Sequence, residues 1–355
     1  MTTLDYSPLT SPVTRQEIAA FRRESARSMT PGASVSSGVV LVVTISAGVF
    51  ALSILLWLYS RFFSQGSSTF VILVTMLVAA GVITAFRLAA SQATWARLLR
   101  LSRFAAANGL AFTANGIVPG YAGAIFGIGS ARRVPERLSR AAPPSFDVGN
   151  LDYTTGSGKN RTVHHWGYLA IKLDRMLPQM ILDAKSNNFF GSNLPVKFSR
   201  SQVLRLEGDF DTYFTLYCPK EYERDALYVF TPDLMARLID EAAQFDVEIV
   251  DDWMFLYSAR PFDLLNAAML ARIARIVDTV GDRTLTRTER YADDRAASGV
   301  ASAAGTSPLG ARMAANTVAR QGRRLQRGVP LVGGLIIVAV IAVWLFNVLP
   351  ALARF

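Results

Sequence analysis

The sequence predicts an α+β domain, mostly antiparallel sheet with helices, carried on three transmembrane helices. Three observations predict it. A chain of 355 residues that is 51% hydrophobic, with mean hydropathy +0.27, is too apolar for an ordinary soluble protein. Three apolar runs, 39–59, 70–86 and 331–349, each approach the roughly 20 residues a helix needs to cross about 30 Å of hydrocarbon. Between residues 110 and 282 the pattern instead switches between periods of two and 3.6 and is punctuated by Gly, Pro and Asp, as in a folded domain of strands and helices.

In chain order, residues 1–37 form a basic tail with Arg15, Arg22, Arg23 and Arg27. Thr14 and Glu17 have the spacing of a capping box, which predicts either a helix over residues 15–28 with Ile18 and Phe21 inward, or a cytoplasmic tail without structure. The long, late apolar run with no small-residue cleavage site argues for an anchor and against a cleaved signal peptide. The spans are placed at 38–60, at 69–90 continuing as one helix to 107, and at 329–350. Trp95 falls where an interfacial anchor belongs, and Asn108-Gly109 reads as a left-handed cap. The glycine-rich run 115–129 is too short to cross a bilayer, and we read it as a loop packed on the domain or lying at the membrane interface.

The domain at 110–282 begins with strands over 145–153 and 162–173, joined by TTGSGKNR. Its GSGK is not a phosphate loop, because Tyr153 stands where the upstream glycine is needed and Asn160 where the Ser or Thr is. Short strands follow at 180–183 and 203–206. Residues 206–217 alternate as a strand ended by Pro219, and 226–230 as a buried strand. Thr231, Pro232 and Asp233 open a helix with Leu234, Met235, Leu238 and Ile239 inward. A hairpin is expected over 245–250 and 253–257 with Asp251-Asp252 as its turn, then an amphipathic helix over 262–280. That helix should face Leu264, Leu265, Ala268, Ile273, Ile276 and Val280 inward, with Arg272, Arg275 and Arg283 solvated. Residues 283–328 read as a flexible basic linker.

The stretch LEGDFDTYFTLYCP followed by DALYVFTPDLMARLIDEA resembles an uncharacterised bacterial membrane-protein family with the pattern F-D-x-x-F-x-[LV]-Y, then T-P-x-[LF]-M. The matching positions are Phe210, Asp211, Phe214, Leu216, Tyr217, Thr231, Pro232, Leu234 and Met235. RFAAANGL and RTVHHWGYLAIKL extend the likeness, the latter most like actinobacterial members. The resemblance implies the architecture and brings no activity with it.

Arginines cluster before the first run, after the second and before the third. The positive-inside rule therefore puts the amino terminus and the domain in the cytoplasm, on a plasma (inner) membrane protein. The single cysteine, Cys218, excludes an intramolecular disulfide. The same flanking segments account for all of the net charge of +10, so the domain is near neutral. The positive charge thus belongs to lipid headgroups and not to nucleic acid.

Glu207, Asp209 and Asp211 would share one strand face, where carboxylates hold a divalent cation or act as general acid and base. Thr212 stands where a calcium loop requires glycine. His164 and His165 point to opposite faces and cannot share an ion, and Cys218 has no base beside it in sequence. The aromatic set Tyr213, Tyr217, Tyr222, Tyr228, Trp253 and Tyr257 packs the sheet or lines an amphipathic groove. The reading is a non-enzymatic binding or scaffold module with a protein partner at the cytoplasmic face. Its binding residues are Asp209, Asp211, Tyr213, Tyr217 and Trp253, with no catalytic residue, metal or cofactor. The alternative is a membrane-tethered metal-dependent hydrolase or ligand sensor using Glu207, Asp209 and Asp211.

Overall fold

The computed structural model describes residues 4–28, 81, 90–188, 192–206, 208–281, 284, 293 and 316–327. The three apolar runs, apart from Gly81, lie outside these residues. Among the described residues no helix is long and apolar enough to cross a membrane. The chain divides into two compact units, Asp5–Asn108 and the remainder.

In the first unit, helix α1 (Arg15–Ser28) starts at the expected capping box. The Thr14 N–H donates to Glu17 Oε2 at 2.7 Å and the Glu17 N–H to Thr14 Oγ1 at 3.3 Å. A second helix, α2, covers residues 90–107 and buries Leu98, Leu99, Leu101 and Phe104. The two helices run antiparallel. Phe21 meets the edge of Trp95 at 6.3 Å, Glu17 pairs with Arg103, and Arg100 donates to the Ser11 carbonyl. Helix α2 ends as expected, with Gly109 at φ +64.

The second unit is an α+β domain built on a seven-stranded sheet whose pairs are all antiparallel. Its strands are β1 (Ala111–Gly116), β2 (Ser130–Arg140), β3 (Phe146–Thr155), β4 (Thr162–Ala184), β5 (Val203–Leu204), β6 (Phe214–Tyr217) and β7 (Asp246–Ser258). The 23-residue β4 organises the sheet. One edge of β4 pairs first with β3 and, further along, with β6; the other edge pairs with β7. The turn expected between β3 and β4 is present, with Gly156 at φ +74 and Lys159 exposed at its tip.

Register fixes two faces. Leu151, Tyr153, Trp166, Tyr168, Ala170, Phe255 and Tyr257 share one, and the glycine-rich loop between β1 and β2 lays Ile125 and Phe126 on it. Phe126 meets Tyr121 and Tyr168 edge-on at 5.1 Å each, and burying a side chain of this size contributes about 2–3 kcal/mol. This loop is therefore packed on the domain. The opposite face meets Phe262, whose ring lies against Gly167, and the closing helix. Helix α3 (Glu223–Val229) and helix α4 (Pro232–Arg237, continued as a π-turn to Ala242) precede β7, and helix α5 (Ala267–Ile276, continued as a π-turn to Gly281) follows it.

Several expectations are corrected. Residues 206–217 are not one strand: Gly208, at φ +77, turns the chain, Phe210–Tyr213 is a single helical turn, and only Phe214–Tyr217 is extended. Residues 226–229 belong to α3, with Phe230 just past its end; its first turn carries Glu223 and Asp225 at the positive end of the dipole, and Ala226 and Val229 are buried three apart. The expected hairpin over 245–257 is one strand, β7. Asp251, at φ +53, makes a bulge instead of a turn, and the register with β4 shifts between Lys172 and Met180. Residues 180–183 are not separate but the far end of β4. Helix α5 begins only at Ala267, where the Asn266 side chain accepts from the Ala268 and Met269 N–H groups, and this leaves Ala268 exposed. Arg272 is not merely solvated: it lies 5.1 Å over the Phe245 ring and donates to the Glu241 carbonyl.

Candidate functional site

The bulges in β4 and β7 change what their far halves carry. Ile181 pairs with Glu248, so Gln179, Ile181 and Asp183 lie on the same face as Asp246, Glu248 and Val250. Three of these six are acids. Glu248 is fully buried and accepts three hydrogen bonds: from the Ala124 N–H at 2.7 Å, the Tyr257 hydroxyl at 2.7 Å and the Gln179 amide at 2.6 Å. Burial raises its carboxyl above the usual range, while the three donors and Arg324 act against that shift.

Gln179 joins this carboxylate to residues 316–327. Its side-chain oxygen accepts from the Leu325 N–H at 2.7 Å, and its main-chain N–H donates to the Gly322 carbonyl at 2.8 Å. Gln202 grips the strap with its side chain alone, donating to the Gln326 carbonyl at 3.0 Å and accepting from the Gln326 N–H at 3.1 Å. Ser199 N–H adds a bond to the same carbonyl, and Phe198 bridges Arg327 in antiparallel fashion. Arg324 forks onto Asp251, its two terminal nitrogens 2.9 and 3.0 Å from the two carboxylate oxygens, and Leu325 enters the core cluster. Gly322 packs so closely on Tyr222 that a Cβ there would lie 2.5 Å from the ring. Residues 316–327, expected inside a flexible linker, are thus a strap held by its backbone in a groove of the domain.

Beside the groove lie two further buried acids. Asp246 accepts from the Ala184 N–H at 2.9 Å. Burial, with Asp183 adding to it, pushes its carboxyl up to about 7, against the pull of Ala184 and Asn187. Asp183 accepts from the Asn188 amide at 3.0 Å and is likewise raised, chiefly by burial. Under the glycine-rich loop, Asp147 takes hydrogen bonds from Tyr121 at 2.7 Å and Tyr168 at 3.3 Å and pairs with Arg137; burial still leaves it raised. In chemical terms the face holds the strap's backbone through Gln179 and Gln202 and carries carboxyls raised by burial, Asp246 to about 7.

The binding residues expected from sequence are not gathered in one place. Asp209 is exposed at the Gly208 turn. Asp211, in the helical turn after it, accepts from the Leu206 N–H at 3.3 Å. Asp209 and Asp211 are therefore not on one strand face, and Glu207 lies outside the described residues. Tyr213 ends the same turn, half-buried. Tyr217 packs 5.9 Å from Phe198, behind the strap contact, and Trp253 lies 4.7 Å from Tyr121 with the Lys172 ammonium 4.8 Å above its ring. His164 stacks on Tyr153 and shares a 2.7 Å bond with Thr155, whereas His165 meets Asp152 at 2.6 Å, the two pointing apart as expected. Cys218 is buried, and burial pushes its thiol up to about 12. Among the described residues no group of three His, Cys, Asp or Glu side chains is arranged to hold a metal.

Of the residues that do converge, Gln179, Gln202 and Glu248 were not singled out from the sequence, and Asp251 was read only as part of a turn. The available signal was Asp246 and Glu248 alternating with Phe245, Val247 and Ile249 at the start of β7. No protein-family model, curated protein or solved structure matches the chain.

Proposed function

We propose that this chain is a multi-pass membrane protein, three-spanning, with its amino terminus and α+β domain in the cytoplasm. The domain acts there as a binding and scaffold module for an extended peptide segment. The resemblance to the bacterial membrane-protein family, the apolar runs and the arginine distribution support the membrane half of this reading. The binding half rests on one observation: Gln179 and Gln202 each make reciprocal bonds with the backbone of the strap, the manner in which a groove holds any extended peptide. Asp251 and the Leu325 pocket add side-chain selectivity for an Arg-Leu pair.

A labelled synthetic peptide of the strap sequence, added to the full chain in detergent, tests the groove. It should bind and, in excess, raise hydrogen exchange at the Leu325 and Gln326 amides of the chain's own strap. Gln179→Ala with Gln202→Ala should weaken that binding at least tenfold. Peptide that fails to bind at millimolar concentration, or that binds without loosening the strap, refutes the groove. A reporter fused at Gly158 tests the topology: activity of an export-dependent reporter there would overturn it.

A further inference from the structure

We propose that the helix pair α1–α2 carries a binding site for the phosphate of an anionic glycerophospholipid, formed by Arg22, Arg23, Ser91, Gln92 and Trp95. These side chains line a groove of about 600 Å³ between the two helices. The Arg22 guanidinium lies 5.8 Å over the Trp95 ring, whose edge is met by Phe21. Stacking pre-orients a planar fork of donors, the geometry that suits a phosphodiester, and Arg23, Ser91 and Gln92 bring further donors to the same groove. Tryptophan is the side chain enriched at the headgroup level.

The position of the groove argues for lipid as the source of the phosphate, and this step rests on the membrane reading given above. Because the helices are antiparallel, the groove lies at the end of the pair from which both chain segments lead to apolar runs. The run 70–86 ends five residues before Ser91, and five residues fully extended reach at most about 18 Å. The groove therefore stays close to the headgroup layer if that run spans. Charge agrees: residues 5–28 and 90–108 together carry seven arginines against only Asp5, Glu17 and Glu24 as acids, and Glu17 is taken by Arg103.

The test uses the full chain in detergent, titrated with dioctanoyl-phosphatidylglycerol, dioctanoyl-phosphatidylcholine or inorganic phosphate and read by its thermal midpoint. Phosphatidylglycerol at a hundredfold excess over its dissociation constant should raise the midpoint by about 4 °C. R22Q/R23Q should abolish this rise, and R22K/R23K, which keeps the charge but loses the fork, should retain a reduced one. Lipid retention by native mass spectrometry gives the same comparison should R22Q/R23Q change the starting midpoint. An equal response to both lipids, an undiminished response in R22Q/R23Q, or an equal response to inorganic phosphate would overturn the proposal. Release of the chain from cell membranes by alkaline carbonate would instead overturn the membrane reading, leaving the detergent titration to judge the groove by itself.

Discussion

Replacing Asp246 by Asn should make the domain more stable at pH 8 and no more stable at pH 4. The carboxyl is fully buried and stands at about 7 when folded, against an ordinary value of 3.8. A group whose folded value lies above its unfolded value holds more protons in the folded state. Its contribution to stability is therefore full below about pH 4, declines as pH rises to about 7, and is flat beyond that. The gap corresponds to about 4 kcal/mol between the two plateaus, at about 1.4 kcal/mol for each tenfold change in acidity. Asn cannot ionise, and its oxygen can still accept from the Ala184 N–H, so the variant escapes the high-pH loss. For a domain of this size that gain is a midpoint rise of about 10 °C at pH 8. The assay is thermal unfolding of wild type and D246N followed by near-ultraviolet circular dichroism from pH 4 to 8. The Asp183 charge adds to the rise of Asp246, so D183N should reduce the loss of stability that Asp246 causes with rising pH. Parallel curves for wild type and D246N across that range would refute the assignment, because they would mean that Asp246 does not titrate there.

Tyr257→Phe removes one of the three donors on Glu248 and should cost about 1–3 kcal/mol, read as a lower midpoint at neutral pH. Gly167→Ala places a Cβ 2.7 Å from the Phe262 ring in the middle of the sheet and should cost about 1–3 kcal/mol by overpacking, with part of that recovered in G167A/F262L. Cys218 should resist a maleimide at pH 8 in the folded chain and react readily after denaturation, because burial keeps its thiol near 12. Rapid labelling of the native protein would show that β6 and its flanks open.

What the sequence made legible was local. Thr14 and Glu17 cap α1 because the box needs only four adjacent residues, and TTGSGKNR turns between β3 and β4 because its glycines take the positive φ that the turn requires. The misread elements depend on distant partners. Asp251-Asp252 has the composition of a turn, yet β4 continues opposite it, so pairing along 167–182 outweighs the local preference, and Arg324 holds the bulged carboxylate from more than 70 residues away. Residues 226–230 look like a strand because Val, Tyr and Phe favour one. Their actual partner is the core beneath Ala226 and Val229, which one helical turn satisfies and no neighbouring strand does. The groove was invisible for the same reason, since Gln179 and Gln202 are ordinary residues until the strap arrives.

That dependence also explains why the sheet tolerates buried acids. An ionised carboxyl in an apolar layer is costly unless donors surround it. Glu248 has one donor from its own strand, Tyr257, one from β4, Gln179, and one from the glycine-rich loop, Ala124. Gln179 is in turn oriented by Leu325 of the strap. Withdrawing the strap therefore frees the amide that helps hold the carboxylate, and a ligand that replaces the strap must offer Gln179 an N–H in the same place. On the proposed reading, the buried acid would make the groove prefer backbone to lipid or apolar side chains, because only a hydrogen-bonding occupant keeps the network beneath it complete.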